Sequence, residues 1–426
     1  MFDTGISGLQ AASTDLSVIG NNVANASSSG FKASRAQFAD VYAANSASNA
    51  VGMGTTVAGV DQIFTQGSLT ITNNTLDLAI QDGGFFGLSD NGVMVYTRAG
   101  AFNADTDGYV VNNAGQRLTG FLGDGLGGVS GQRGELRIDT SMAPPKTTSQ
   151  VAAAMNLRAS SVAPTTAWTQ DYAFGDTPPA AGTYNNSTSM SIYDNLGNSH
   201  ELSLYFVMKD ATADPTLANT WDVHALIDGV TVRAGDAAVG APAGTVAFDR
   251  VTGKIASGSE IQINGWQPLN SIGGINGAPP SNFTISLDGS TQYASPFNVS
   301  SMTQDGCTAG NLTRIGIDGS GTITSYYSNN QSRALGQVGL YNFTNQQGLK
   351  QLGNTTWGAT LDSGGAQIGV PGTGSLGTIK SGALEQSNVD VTAELVRLIL
   401  AQRNYQANAQ TIAADDKVTQ TILNIR

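Results

Sequence analysis

At 426 residues the chain is too long for one ordinary core, so two or three domains are expected. Charged residues make up only 12% while Gly reaches 53; Ser, Thr and Asn supply much of the polar surface, and 7% aromatics still allow real cores, which excludes a disordered chain. A net charge of −12 without a basic patch excludes nucleic acid and anionic membrane as partners, and the single Cys307 excludes an internal disulfide or a Cys-based metal cluster.

Met1-Phe2-Asp3-Thr4 opens the chain without a basic or apolar leader region, so no cleavable signal peptide is expected. Apolar residues Phe2, Ile6, Leu9, Ala12, Leu16, Ile19 and Val23 then recur at three- and four-residue steps, the stripe of an amphipathic helix. Gly5, Gly8 and Gly20 interrupt it, each costing up to ~1 kcal/mol of helix propensity. Residues 31–73 are small and polar with few large apolar side chains, and read as an extended connector, with 371–382 as its return.

From about 74 to 370 the pattern is strands and turns. Leu76–Ile80, Phe85–Leu88, Val93–Thr97, Gly108–Asn112 and Gln116–Phe121 form a first set, and Leu312–Ile317, Thr322–Tyr327 and Gln337–Phe343 a later one. Between them a second all-β stretch, 148–291, carries Ser189–Tyr193, Glu201–Met208, Trp221–Ile227 and Phe283–Leu287. Near the end Val391, Leu395, Leu398, Tyr405, Ala409, Ile412 and Leu423 repeat a helical stripe, with Ser387-Asn388-Val389-Asp390 as an S-x-x-D start signal. A lone helix is marginal in water unless its stripe is buried. The two terminal helices therefore pack on each other or on copies of themselves; the pattern does not separate these.

Motifs that carry chemistry are weak throughout. Gly123-Asp124-Gly125-Leu126-Gly127-Gly128 satisfies G-x-G-x-x-G, yet more turn residues follow it, not a helix. Asn103, Asp105, Asp107 and Gly108 open like a calcium loop, but its twelfth position is Ala114 and not Glu. His200 and His224 stand apart from any nucleophile motif, and Asp415-Asp416-Lys417 reads as a solvated helix face. Neither catalysis, metal nor cofactor is expected.

Blocks at Ile19 to Ala26 running on through Gly30-Phe31-Lys32, at Gly84 to Phe86, Tyr96 to Phe102 and Leu118 to Gly120, and at Leu384 to Asp390 and Ala401 to Gln410 together resemble the bacterial flagellar axial (rod–hook) family. Ile19 to Ala26, with Asn21, Asn22 and Asn25, runs on through Gly30-Phe31-Lys32 and resembles the family's N-terminal signature. Gly84-Phe85-Phe86, Tyr96 to Phe102 and Leu118-Thr119-Gly120 resemble its middle blocks. Leu384 to Asp390, with Asn388 and Asp390, and Ala401 to Gln410, with Gln402, Arg403, Tyr405 and Asn408, resemble its C-terminal signature. Where the pattern more often has Tyr, this chain has Cys307, read as a small packed or surface residue.

The resemblance implies a nested, multidomain chain: a helical coiled-coil domain from 1–30 and 383–426, an inner β domain from 74–147 and 292–370, and an outer β domain at 148–291. The large insert favours the hook branch over the rod. Implied with it are a helical homopolymer outside the cell, acting as a universal joint, and export through the flagellar type III apparatus without signal cleavage. The implied neighbours are a distal rod protein, a hook cap protein and a hook–filament junction protein. Phe2, Ile6, Leu9, Leu16, Ile19, Val23, Leu395, Leu398, Tyr405, Ile412 and Leu423 are the expected subunit interface. A distal rod subunit and a secreted β-rich binding module are the alternatives.

Overall fold

The computed structural model describes residues 2–42, 52–125, 127–212, 214–233, 235 and 238–424. The chain is mostly β, with a long helix at each end: α1, Phe2–Ala24, and α2, Val391–Asn424. It divides into two compact units, one of Met1–Thr140, Thr313–Tyr326 and Ser332–Arg426, the other of Ser141–Leu312 and Tyr327–Gln331.

In the first unit α1 is followed by a hairpin, β1 (Ser34–Tyr42) and β2 (Gly52–Gln62), paired antiparallel from Ser34↔Gln62 outward. An extended connector was expected here, and the hairpin differs from it for a packing reason. The side chains it buries are small, Ser34 and Ala36, while Phe38, Met53, Val57 and Val60 are exposed. Large residues therefore mark no inward face. Ser7 of α1 seats against the hairpin: its Oγ accepts from Thr55 N at 3.3 Å, and a Cβ at Gly54 would lie 2.1 Å from that oxygen.

The body of this unit is a strand system ordered Leu312–Ile317, Thr322–Tyr327, Ser332–Val338, Arg117–Gly123, Phe85–Asp90, Val93–Thr97, Thr356–Gly358 and Lys350–Gly353. Period-two alternation sends neighbouring residues to opposite faces. Phe86, Leu88, Val95 and Leu340 enter one core with Phe102, Leu118 and Val338. Phe85, Tyr96 and Tyr341 enter a second, aromatic one with Phe343 and Trp357. Phe64, just past β2, stands edge-on to Phe85 and Trp357 at 5.5 and 5.7 Å, which fixes the hairpin's root to the body.

The second unit has a five-stranded sheet, in which Gln150–Arg158 pairs with Ser281–Ser286, Thr291–Tyr293 and Asn298–Gln304, and Glu260–Trp266 adds to the edge. Its six-stranded sheet runs Asn186–Tyr193, Ser199–Met208, Thr220–Ile227, Gly244–Phe248 and Ile255–Ser257, with Val230–Val232 beside the third. Val151, Ala153, Met155 and Leu157 from one sheet meet Leu202, Leu204, Phe206, Trp221 and Val223 from the other in a single core. Cys307 is buried and its backbone pairs with Lys146. The sequence motifs set aside as turns are turns: Asp105 Oδ1 accepts from Asp107 N and Tyr109 N at 2.9 and 2.7 Å, and Asp124 Oδ1 from Gly128 N at 2.8 Å.

Candidate assembly site: paired termini and a buried charge clasp

The two helices lie antiparallel, because Gly5 of α1 meets Ile412, Gly8 meets Asn408, and Asn22 reaches Glu394. Their contact is built from small residues. A Cβ at Gly5 would stand 2.8 Å from Ile412 Cγ1, and one at Gly8 would stand 2.7 Å from Asn408 Oδ1, so glycine is what lets the helices approach. Gly20 has open space around it. On α1 the buried residues are Gly5, Ala11, Ala12, Ile19 and Asn22. On α2, Glu394 and Ala401 are buried, with Leu398, Asn408 and Ile412 half-buried. Their steps of three and four make a coiled-coil seam of unusually small and polar membership.

Of the expected interface residues, Ile19 is buried in the pair, and Ile6, Leu9, Leu16, Val23, Leu398 and Ile412 are half-buried. Phe2, Leu395 and Tyr405 are exposed, and the side chain of Leu423 lies outside the described residues. Sequence reading missed the most exposed group. Val396, Ile399 and Leu400 are 55%, 51% and 53% exposed and, with Leu395 at 45%, form one apolar stripe on α2.

A buried ion cluster ties four distant segments, at Lys32, Gly67, Arg98 and Glu385. Glu385 Oε1 accepts from Lys32 Nζ at 2.6 Å and from Gly67 N at 2.9 Å, while its Oε2 receives Arg98 NH1 at 3.3 Å. Lys32 also donates to Thr65 O at 2.7 Å and Arg98 to Asp82 O at 2.9 Å. The Lys32 and Glu385 side chains are fully shielded from solvent. Burial pulls the Lys32 ammonium below its ordinary range and Glu385 opposes that pull; Arg98 is lowered in the same way. Lys32 and Arg98 share the one Glu385 carboxylate, and Arg98 Nε has no hydrogen-bond partner.

Several residues quoted for the resemblance surround this clasp. Gly30, at φ 70°, gives its N–H to Glu385 O at 2.8 Å, and a Cβ there would strike Ala99 N at 2.3 Å. Asn388 accepts from Ala33 N and donates to Ile63 O, bridging β1 and β2 at their root. Asn22 closes a paired contact with Ser34, receiving its N–H at 2.9 Å and donating to its C=O at 2.8 Å. Asn25 bonds Asn21 Oδ1 at 2.6 Å and ends α1, and Phe31 is half-buried beside Lys32. Asp390, not Ser387, caps α2: its Oδ1 accepts from Thr392 N and Ala393 N at 2.9 and 3.2 Å. Gln402 and Arg403 are exposed on α2. Asp15 of α1 is raised above the ordinary carboxylate value by burial, against Arg397 and with Glu394.

The polar groups of this arrangement hold backbone and each other. Among the described residues no group of His, Cys, Asp and Glu could hold a metal ion. No helix among the described residues is long and apolar enough to cross a membrane.

Four segments match known families: residues 2–32 the flagella basal body rod protein, 79–153 the flagellar hook protein FlgE/F/G D1 domain, 156–307 the flagellar basal body protein FlaE D2 domain, and 380–425 the flagellar basal body rod FlgEFG protein C-terminal. The crystal structure of the Helicobacter pylori flagellar hook protein FlgE2 shares the fold, with a TM-score of 0.51 over 74% of this chain and 99% of that one at 16% identity. Over the whole of both chains, the flagellar hook protein FlgE of Escherichia coli K12 is 38% identical and that of Salmonella typhimurium 37%. That of Treponema pallidum is 32% identical over 99% of this chain and 98% of its own. The chain belongs to the flagellar hook protein FlgE family.

Proposed function

We propose that the chain is the structural subunit of the flagellar hook, a non-enzymatic protein that polymerises through its terminal helices into a flexible tube. The observation that carries this is the uncovered stripe Leu395, Val396, Ile399 and Leu400 on a helix whose other side is already paired with α1. Four apolar side chains about half in water forgo roughly 3–6 kcal/mol of burial per subunit, a driving force for contact with a second copy. A contact between different faces of identical chains does not close on itself and generates a helical filament.

The interface includes Phe2, Leu9, Leu16, Val23 and Tyr405 in addition to that stripe. In the assembled tube the terminal helices form the innermost layer, the β body the next and the insert the outermost. The inner layer transmits torque; the low-charge outer units slide as the tube bends. Its neighbours are the distal rod protein below, the hook cap during growth and the hook–filament junction protein above, and subunits arrive through the flagellar type III export apparatus.

Electron microscopy of the purified protein under polymerising salt tests this. Curved tubes are expected from the full chain, and none from a chain lacking 1–30 and 383–426 or from Ile399→Ser/Leu400→Ser, which leaves the α1 seam intact. Straight rods would assign the chain to a rod role instead. Tubes from the serine variant would remove the stripe from the interface.

A further inference from the structure

One end of the second unit's core is closed by a histidine held between two carboxylates. His200 opens strand Ser199–Met208 on its inward side, the side that continues with Leu202, Leu204 and Phe206. Its ring is buried, with the Trp266 indole edge-on at 5.1 Å. Nδ1 lies 2.6 Å from Asp228 Oδ2, and Nε2 lies 3.4 Å from Asp194 Oδ2. Those two carboxylates are the charged groups acting on the ring; Glu201, next in sequence, sits on the strand's other face.

Each carboxylate governs a different turn. Asp194 heads the turn before the strand, accepting Leu196 N, Asn198 N and Asn198 Nδ2 at 2.9, 2.8 and 2.9 Å. It also accepts Asn276 Nδ2 at 2.6 Å, which brings in the loop after Trp266. Asp228, at φ 50°, makes the turn between Thr220–Ile227 and Val230–Val232 and accepts Glu201 N at 2.9 Å. These three segments meet around a cavity of about 630 Å³ lined by Asn198, His200, Asp228, Asn270 and Asn276.

Only the imidazolium can donate to both carboxylates at once. The neutral ring keeps one proton. The shorter contact retains it on Nδ1, so the Nε2 lone pair then faces Asp194, whose side chain is fully buried and cannot turn to water. We propose that His200 is a pH-operated clamp: charged, it fastens both turns and the Asn276 loop to the strand, and on losing its proton it releases the Asp194 side and opens the cavity. Burial lowers the proton affinity of the ring, but the Asp228 bond and charge, then Asp194, outweigh it and leave His200 above its ordinary 6.5. With the folded value raised, the clamp's stabilisation is complete below about 6.5 and disappears as pH rises through the folded value. The release therefore lies on the alkaline side.

Hydrogen exchange of the full-length chain, corrected for the intrinsic pH dependence, reads the opening directly. Between about pH 6 and pH 9, protection around 194–199, 227–230 and 270–276 is expected to fall about tenfold or more, while Gln150–Arg158 stays protected. In His200→Gln, which cannot titrate, the fall should vanish; the same fall in that variant overturns the clamp. Asp228→Asn keeps the ring but removes its stronger partner, so the release should move to lower pH. An unmoved release, or an NMR titration of His200 with its midpoint at or below 6.5, would also overturn it.

Discussion

Glu385 is the residue on which the first unit's long-range order converges. It is fully buried and pairs with cations 353 and 287 positions away. Removing one partner of a buried ion pair costs about 3–5 kcal/mol because the other charge is left uncompensated. Glu385→Gln strands both Lys32 and Arg98, so the unfolding free energy measured in urea should fall by that amount. Lys32→Met, which leaves Glu385 with Arg98 and Gly67 N, should cost distinctly less. A reversed order would show that the lysine, not the carboxylate, holds the site. His224 supplies a second test, in the other unit. Stacked on Trp168 at 4.2 Å and buried, it is pushed down to about 4 by desolvation, which Asp222 only partly offsets. Its folded value lies below the unfolded one, so the neutral ring's contribution is present above about 6.5 and is lost as pH falls towards 4. His224→Phe should flatten this acid limb of the stability curve, whereas His200→Gln should flatten the alkaline one. None of these partnerships was legible. The blocks around Lys32, Arg98 and Glu385 stood out as motifs, but no local pattern pairs residues hundreds of positions apart.

At the scale of elements, the terminal helices were legible from period and the choice of partner was not. Large residues spaced by sevens, Phe2, Leu9, Leu16 and Val23, suggest a seam. The intramolecular seam keeps Ala12 and Ile19 of the expected stripe but adds Gly5 and Gly8, where the helices come close. The glycines that look like defects in propensity are thus of two kinds. Gly20→Ala meets open space and should raise the thermal midpoint of the helical circular dichroism signal through a gain of up to ~1 kcal/mol. Gly5→Ala has the same propensity gain but must displace Ile412 from 2.8 Å, and should lower that midpoint. Equal gains from both would mean that the helices do not touch at Gly5. The hairpin β1–β2 escaped sequence reading for a related reason. Its buried side is made of Ser and Ala, so the alternation that betrays a half-buried strand is inverted. Of the body strands, Val93–Thr97, Leu312–Ile317 and Thr322–Tyr327 were readable to their ends, whereas the expected Gln337–Phe343 straddles Ser332–Val338 and Leu340–Asn342, and Lys350–Gly353 and Thr356–Gly358 were not read.

For the whole molecule, the question is whether the insert is needed for the rest to fold and assemble. Each unit has its own core: a cluster of buried residues from Val151 to Leu287 in one, and the two clusters around Phe86 and Phe85 in the other. Chain entering and leaving the insert is already paired antiparallel, Ala143 with Gly310 and Lys146 with Cys307. The gap from Lys146 to Cys307 is therefore the width of a hairpin, and Asn-Gly is the turn that such a pair accepts. A variant in which Asn-Gly replaces residues 147–306 should keep the α1–α2 pair and the Glu385 clasp, since every group holding them lies outside the excised stretch. It should unfold in one cooperative transition. Under polymerising salt it should still form tubes, because the α2 stripe is untouched, but tubes that are thinner and altered in curvature. Loss of tubes with the fold intact would place part of the assembly energy in the outer unit and not in the terminal helices. Loss of the fold itself would mean that the two cores do not stand alone.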